Sequence, residues 1–163
     1  MLTAASTPRT TIGVSLKMYF PHARTIAWAS DVAAIARSHD AVTSGLVDLF
    51  VIPTFPSLVP VRTVLDGSGV FLGAQDLAWA DEGAFTGEVS GAELAEIGVD
   101  LVEIGHAERR GLFRETDQDV AGKVHAAFRN RLTPLICVGE TTRTSRPDAI
   151  ADVTGQLDRA VQT

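Results

Sequence analysis

Short apolar runs alternate with longer amphipathic stretches along most of this chain. Val47–Ile52 is nearly all apolar, as a strand covered on both faces should be. Pro53 stops it. Thr11–Ser15, Val70–Ala74, Val99–Ile104 and Pro134–Val138 repeat the short-run pattern and read as further strands. The stretches between them keep a helical period. Ile26, Ala29, Ala33 and Ala36 fall on one stripe, and Ser57–Leu65 reads as the next helix. Ser90 with Glu93 forms a capping box for a short helix. Thr116 with Asp119 opens a helix that runs to about Asn130. Pro147 suits the first turn of a last helix, whose apolar stripe is Ile150, Val153, Leu157 and Val161. Residues 76–89 read as one long loop rich in Gly, Ala and acidic side chains.

That pattern is five β-α units in succession. Right-handed crossovers leave two common architectures, an open doubly wound sheet or a (β/α)8 barrel. The first β-α turn lacks Gly-x-Gly-x-x-Gly, which disfavours a dinucleotide-binding unit. The 163 residues are read as a single domain, 1–163, with a core of its own. A content of 45% hydrophobic and 21% charged residues is that of a globular soluble protein. The net charge of -6, with no basic stripe, argues against nucleic acid as a partner. No apolar run reaches membrane-spanning length, and residues 1–10 hold no signal-peptide core. The single cysteine excludes an intrachain disulfide and fits a reducing compartment. A cytoplasmic enzyme is the expectation.

The chemistry concentrates at strand ends, where parallel α/β folds collect their reacting groups. The apolar strand to Ile104 runs into Gly105-His106-Ala107-Glu108-Arg109-Arg110. Lys17-Met18 follows the first strand, Gly83-Ala84-Phe85-Thr86-Gly87-Glu88 the third, and Cys137-Val138-Gly139-Glu140 the fifth. In that order these motifs resemble the triosephosphate isomerase family. The match is nearly continuous from Gly73 to Glu140 and weaker from Ile12 to Pro53.

The resemblance implies a (β/α)8 TIM barrel, here five of eight β-α units, and an aldose-ketose isomerase. Such an enzyme interconverts dihydroxyacetone phosphate and glyceraldehyde 3-phosphate through an enediolate, in glycolysis and gluconeogenesis. It implies no cofactor, a small phosphorylated sugar as substrate and a homodimer when full length. His106 resembles the family's electrophile, a neutral histidine at a helix amino end that polarises the substrate carbonyl. Lys17 resembles the lysine that stabilises oxyanion charge and attracts the phosphorylated substrate. Glu108 resembles the acidic partner of that lysine, either assisting proton movement or serving as a plain ion-pair partner. Thr86 is expected to reach toward a neighbouring subunit's site. Loop 76–89, with Trp79 and Phe85, is expected to be a subunit contact.

Two departures qualify the resemblance. The family's first-strand motif is usually Asn-Trp-Lys-Met-Asn; here it is Ser15-Leu16-Lys17-Met18-Tyr19. Ser15 sits at the substrate-binding position with a hydroxyl in place of an amide, shorter in reach and with fewer donors. A full barrel also needs about 250 residues. The chain stops where the fifth helix should end, so strands six to eight, with the glutamate base and most of the phosphate-binding backbone, have no counterpart in it. Three functions follow: the triose isomerase; a paralogue acting on a four-carbon ketose phosphate, which the Ser15 departure motivates; and a catalytically inactive truncated barrel fragment.

The remaining polar residues read more plainly. Arg109 and Arg110 are expected to form structural ion pairs, with Glu115 a partner. Cys137 reads as a packing thiol near the site. His22, His39 and His125 read as surface residues, and Asp81-Glu82 as solvated loop charges. No metal motif is present.

Overall fold

The computed structural model describes residues 10–162. Five strands form a parallel sheet in sequence order: β1 (Thr10–Ser15), β2 (Val47–Ile52), β3 (Val70–Ala74), β4 (Leu101–Ile104) and β5 (Thr133–Ile136). The helices are α1 (His22–Ser38), α2 (Asp40–Thr43), α3 (Leu58–Leu65), α4 (Gly91–Glu96), α5 (Ala107–Leu112), α6 (Asp117–Arg129) and α7 (Arg146–Val161). A 3-10 turn, Phe55–Ser57, leads into α3. The five expected β-α units are all present, in the order of the (β/α)8 barrel, with β1 and β5 at the two edges of the sheet.

Strand alternation divides the sheet into two faces. One is covered by helices. There Val51, Leu72, Val102 and Ile104 pack against Ala29 and Ala33 of α1, Leu58, Val61 and Leu65 of α3, and Val120 and Val124 of α6. Each valine, leucine and isoleucine among them contributes about 1.5–3 kcal/mol when fully buried. The alanine stripe of α1 leaves no bulk between helix and sheet. On the other face Phe50, Phe71, Leu101 and Leu135 line a shared apolar cleft. Gly13 makes room there: a Cβ at this position would lie 2.0 Å from the Phe50 ring.

Element boundaries follow local hydrogen bonding. β4 begins at Leu101, two residues later than the apolar run implies. The Asp100 carboxylate accepts the Leu72 N–H at 2.8 Å, and the Asp100 N–H donates to the Leu72 carbonyl at 2.8 Å. A side chain thus takes one ladder position. Pro134 is tolerated within β5 because β5 is an edge strand. The Thr116–Asp119 capping box is complete: Thr116 Oγ1 accepts from Asp119 N at 3.2 Å, and Thr116 N donates to Asp119 Oδ2 at 2.8 Å. Ser90 caps α4 by accepting from Glu93 N at 3.1 Å, one arm of the expected box. The four-residue α2 is additional; His39 caps it by accepting from Ala41 N at 3.3 Å.

Candidate active site

The carboxyl ends of β1 and β4 meet across the sheet. β1 ends at Ser15, and two residues later Lys17 adopts a left-handed backbone with φ 50. Such a conformation is costly for a side-chain-bearing residue and persists only where neighbours hold it. Gln75, just past β3, does so by donating from Nε2 to the Lys17 carbonyl at 3.0 Å. After β4, Gly105 turns at φ 71, and a Cβ there would press within 3.0 Å of Val120. This sharp turn leaves His106 as the N-cap of α5.

Lys17 and His106 converge. Lys17 Nζ lies 2.9 Å from His106 Nε2. On the other side of the ring, Nδ1 accepts the Glu108 N–H at 3.1 Å. That bond assigns the neutral ring's proton to Nε2. Nε2–H and the Lys17 ammonium therefore point their protons at one another's neighbourhood. Two donors cannot satisfy each other; an oxygen acceptor seated in the cleft within reach of both would satisfy them.

The nearer carboxylate to Lys17 is Glu103, at 3.1 Å from Nζ to Oε1. Glu108 Oε2 stands 4.0 Å away, on a side chain 56% exposed. Ser15 Oγ donates to the other Glu103 oxygen, Oε2, at 2.7 Å. Glu103 is the functional residue that the apolar-run reading missed. It sits inside Leu101–Ile104, all four residues of which are buried. The available signal was its spacing: Glu103 is two residues from both Leu101 and Gly105, so it projects to the face opposite the helix-packed Val102 and Ile104.

Lys17, Glu103, His106 and Glu108 open onto a cleft of about 440 Å³, lined also by Tyr19 and Phe113. Ser15, Lys17, His106 and Glu108 are thus brought together with Glu103. Thr86 is not among the cleft residues. It lies on the exposed part of loop 76–89, where Trp79 and Phe85 meet edge to face at 5.7 Å.

Arg109 and Arg110 are both held in ion pairs. Arg110 Nη1 donates to Asp117 Oδ1 at 2.6 Å, and Arg110 Nε to the Gly105 carbonyl at 3.0 Å, which braces the turn before His106. Arg109 bonds Glu115, as expected, and also Asp76 at 2.7 Å. Lys123, 2% exposed, completes that cluster by contacting Asp76 at 2.7 Å and Glu115. Burial raises the Asp76 carboxyl above its ordinary value, with Lys123 opposing. Burial pushes Glu115 the same way, but hydrogen bonds from Lys123 and Arg109 outweigh it and leave the group below its ordinary value.

Cys137 sits 3.9 Å from Glu103 Oε1. Burial, reinforced by the Glu103 charge, pushes its thiol up to about 11, so it is not an activated nucleophile. Asp81, expected as a solvated charge, is instead clamped by Arg129 at 2.8 Å and Asn130 at 2.7 Å, tying the long loop to α6. His125, expected at the surface, is half-buried, with Nε2 at 2.9 Å from the Gln162 carbonyl. His22 meets Ser57 Oγ at 2.9 Å. Among the described residues, no group of three or more His, Cys, Asp or Glu is arranged to hold a metal ion. No helix among them is long and apolar enough to cross a membrane.

The family model for triosephosphate isomerase matches residues 10–163. An L-erythrulose-1-phosphate isomerase of Pectobacterium atrosepticum is 50% identical over 156 residues, covering 96% of this chain and 60% of the relative. A triosephosphate isomerase of Magnetococcus marinus is 50% identical over 113 residues, covering 69% of this chain and 44% of the relative. A crystal structure of triosephosphate isomerase from Bartonella henselae superposes with a TM-score of 0.81 at 32% identity, covering 95% of this chain and 62% of that one. The chain thus spans roughly half to three-fifths of the length of the curated relatives it matches. With its five parallel β-α units and its Lys17–His106 site, the chain belongs to the triosephosphate isomerase family.

Proposed function

We propose that this chain supplies the electrophilic half of an isomerase acting on a small phosphorylated ketose. The carrying observation is the convergence of Lys17 Nζ and His106 Nε2 at 2.9 Å, with the ring proton assigned to Nε2. Proton removal beside a carbonyl places negative charge on the carbonyl oxygen. An oxygen in the cleft within reach of both donors would receive Nε2–H on one side and the ammonium on the other as that charge develops. Both donors are fixed before substrate arrives, so no reorganisation is needed at the moment of reaction. The enediolate that results is reprotonated on the adjacent carbon.

The substrate we favour is a four-carbon ketose phosphate. Support comes from the relatives named L-erythrulose-1-phosphate isomerase and from the Ser15–Glu103 pair at the end of β1. The second reading is the triose reaction, dihydroxyacetone phosphate to glyceraldehyde 3-phosphate, in glycolysis and gluconeogenesis. It is supported by relatives of that name and by the family model. Glu108, 3.6 Å from His106 Nδ1 and 4.0 Å from Lys17 Nζ, serves on either reading as a second, exposed carboxylate at the mouth. The general base belongs to the part of the family's barrel outside the length matched here. On this reading the isolated 163-residue chain has no measurable turnover, since losing a positioned base alone removes about 10²–10⁴-fold in rate. No cofactor is invoked. The intact enzyme is read as a cytoplasmic homodimer with Thr86 and loop 76–89 at the subunit contact.

The test is turnover of L-erythrulose 1-phosphate and dihydroxyacetone phosphate by the intact protein to which this chain belongs. The favoured reading expects a higher kcat/KM for the four-carbon substrate. A higher value for the triose substrate would select the second reading, and no turnover of either would end both.

A further inference from the structure

We propose that Glu103 is the positioning residue of this site: its two carboxylate oxygens hold the Lys17 ammonium against His106 and accept the hydrogen bond that the Ser15 hydroxyl donates. The inference rests on the isomerase reading and deepens it. Glu103 is 6% exposed, in the middle of a strand whose neighbours Val102 and Ile104 are fully buried. A buried carboxylate is costly unless its oxygens are paired. Here both are. Oε1 accepts from Lys17 Nζ at 3.1 Å, and Oε2 accepts from Ser15 Oγ at 2.7 Å. The three residues lie 86 and 88 positions apart in the chain, so the carboxylate is a bridge from β4 to β1.

Two carboxylates compete for Lys17. Glu103 is buried and close; Glu108 is 56% exposed and 4.0 Å away. Exposed pairs are weakened by solvent and by the entropy of fixing two long side chains. Glu103 therefore decides where the ammonium stands. It draws Nζ down beside His106 Nε2, where an oxyanion would form, rather than out toward the mouth. Of the three ammonium hydrogens, one is given to Glu103 and the others remain for substrate. Ser15 has a single hydroxyl hydrogen, and its hydrogen bond goes to Glu103. Its oxygen then offers only lone pairs, so this position accepts hydrogen bonds where an amide could also donate them.

The experiment compares wild-type, Glu103→Gln, Glu103→Asp and Ser15→Ala forms of the full-length protein on the two sugar phosphates, alongside thermal melting. We expect kcat to fall about 10- to 100-fold in Glu103→Gln, the scale set by a misplaced reacting group. Glu103→Asp keeps the charge but is one methylene shorter, and is expected to recover part of that loss. Ser15→Ala is expected to lose less than Glu103→Gln. Glu103→Gln with kcat within twofold of wild type overturns the proposal. The Cys137 thiol, titrated in protein whose fold is checked by circular dichroism, gives a second readout. Burial is the largest cause that raises it, the Glu103 charge adds to that, and Lys17 and Arg110 oppose. Its titration midpoint, about 11 in the wild type, should drop in Glu103→Gln. An unchanged midpoint contradicts the placement of Glu103. If Glu103→Gln does not fold, Glu103→Asp and Ser15→Ala decide: wild-type kcat in both overturns the proposal. Wild-type protein inactive on both substrates defeats the isomerase reading instead, and the thiol titration then still tests the carboxylate.

Discussion

Lys17 Nζ stands 2.9 Å from His106 Nε2 across 89 positions of sequence. Neither residue is held there by the other. Gln75 fixes the left-handed backbone of Lys17, and the Glu108 N–H fixes the ring of His106. Replacing Lys17 with methionine keeps most of the side chain's length and apolar stem and removes its charge. We expect kcat/KM of the full-length protein to fall about 10²–10³-fold, the scale of one lost oxyanion donor. A loss smaller than threefold would show that the ammonium does not meet developing charge.

Cys137 offers a check that needs no substrate. Burial and the Glu103 charge push its thiol up from 9.0 to about 11. At pH 8 the thiolate fraction should then be about 100-fold below that of an unperturbed thiol, and alkylation correspondingly slow. Labelling of the native protein at the rate of a free cysteine would contradict that environment.

The strand and helix pattern was legible because apolar runs and helical stripes extend over five to seventeen residues, enough for periodicity to speak. Lys17 and His106 were legible because each follows an apolar strand directly. Glu103 was not, because one charge in the run Leu101–Ile104 looks like an interruption of a buried strand. Only the register of the two faces shows that it points away from the helices. Lys123 was hidden similarly: a lysine on an amphipathic helix is normally solvated, and its partners Asp76 and Glu115 lie 47 and 8 residues away. Long-range pairing of this kind has no local signature.

The Lys123 cluster fixes α6 to the start of loop 76–89 and, through Arg109, to α5 behind His106. Lys123→Met would leave the buried Asp76 and Glu115 carboxylates sharing Arg109 as their one remaining cation in the cluster. Breaking a buried ion pair in this way costs about 3–5 kcal/mol. Urea unfolding should show that loss, and Asp76→Asn in the same background should restore part of it. A Lys123→Met protein as stable as wild type would refute the structural role.

Acid should loosen α5, α6 and α7 from one another. Hydrogen bonds from Arg110 and Arg159 hold the Asp117 carboxyl below its ordinary 3.8. Its folded value is depressed, so its contribution is present above about pH 3.8 and is lost as pH falls through the folded value. Asp76 acts in the opposite sense: burial raises its folded value, so its contribution shrinks as pH climbs above 3.8. Asp117→Asn should flatten the acid limb of a stability–pH curve below about pH 4, and an unaltered limb would contradict the assignment.

The most direct test of the account is the effect of His106→Gln on turnover of L-erythrulose 1-phosphate and dihydroxyacetone phosphate by the full-length protein. Glutamine preserves polarity and approximate reach but cannot present Nε2–H beside Lys17 in the same geometry. The wild type is expected to turn over substrate and the variant to lose about 10²–10⁴-fold in kcat, with folding intact by circular dichroism. A His106→Gln enzyme that isomerises either sugar phosphate at the wild-type rate would contradict it.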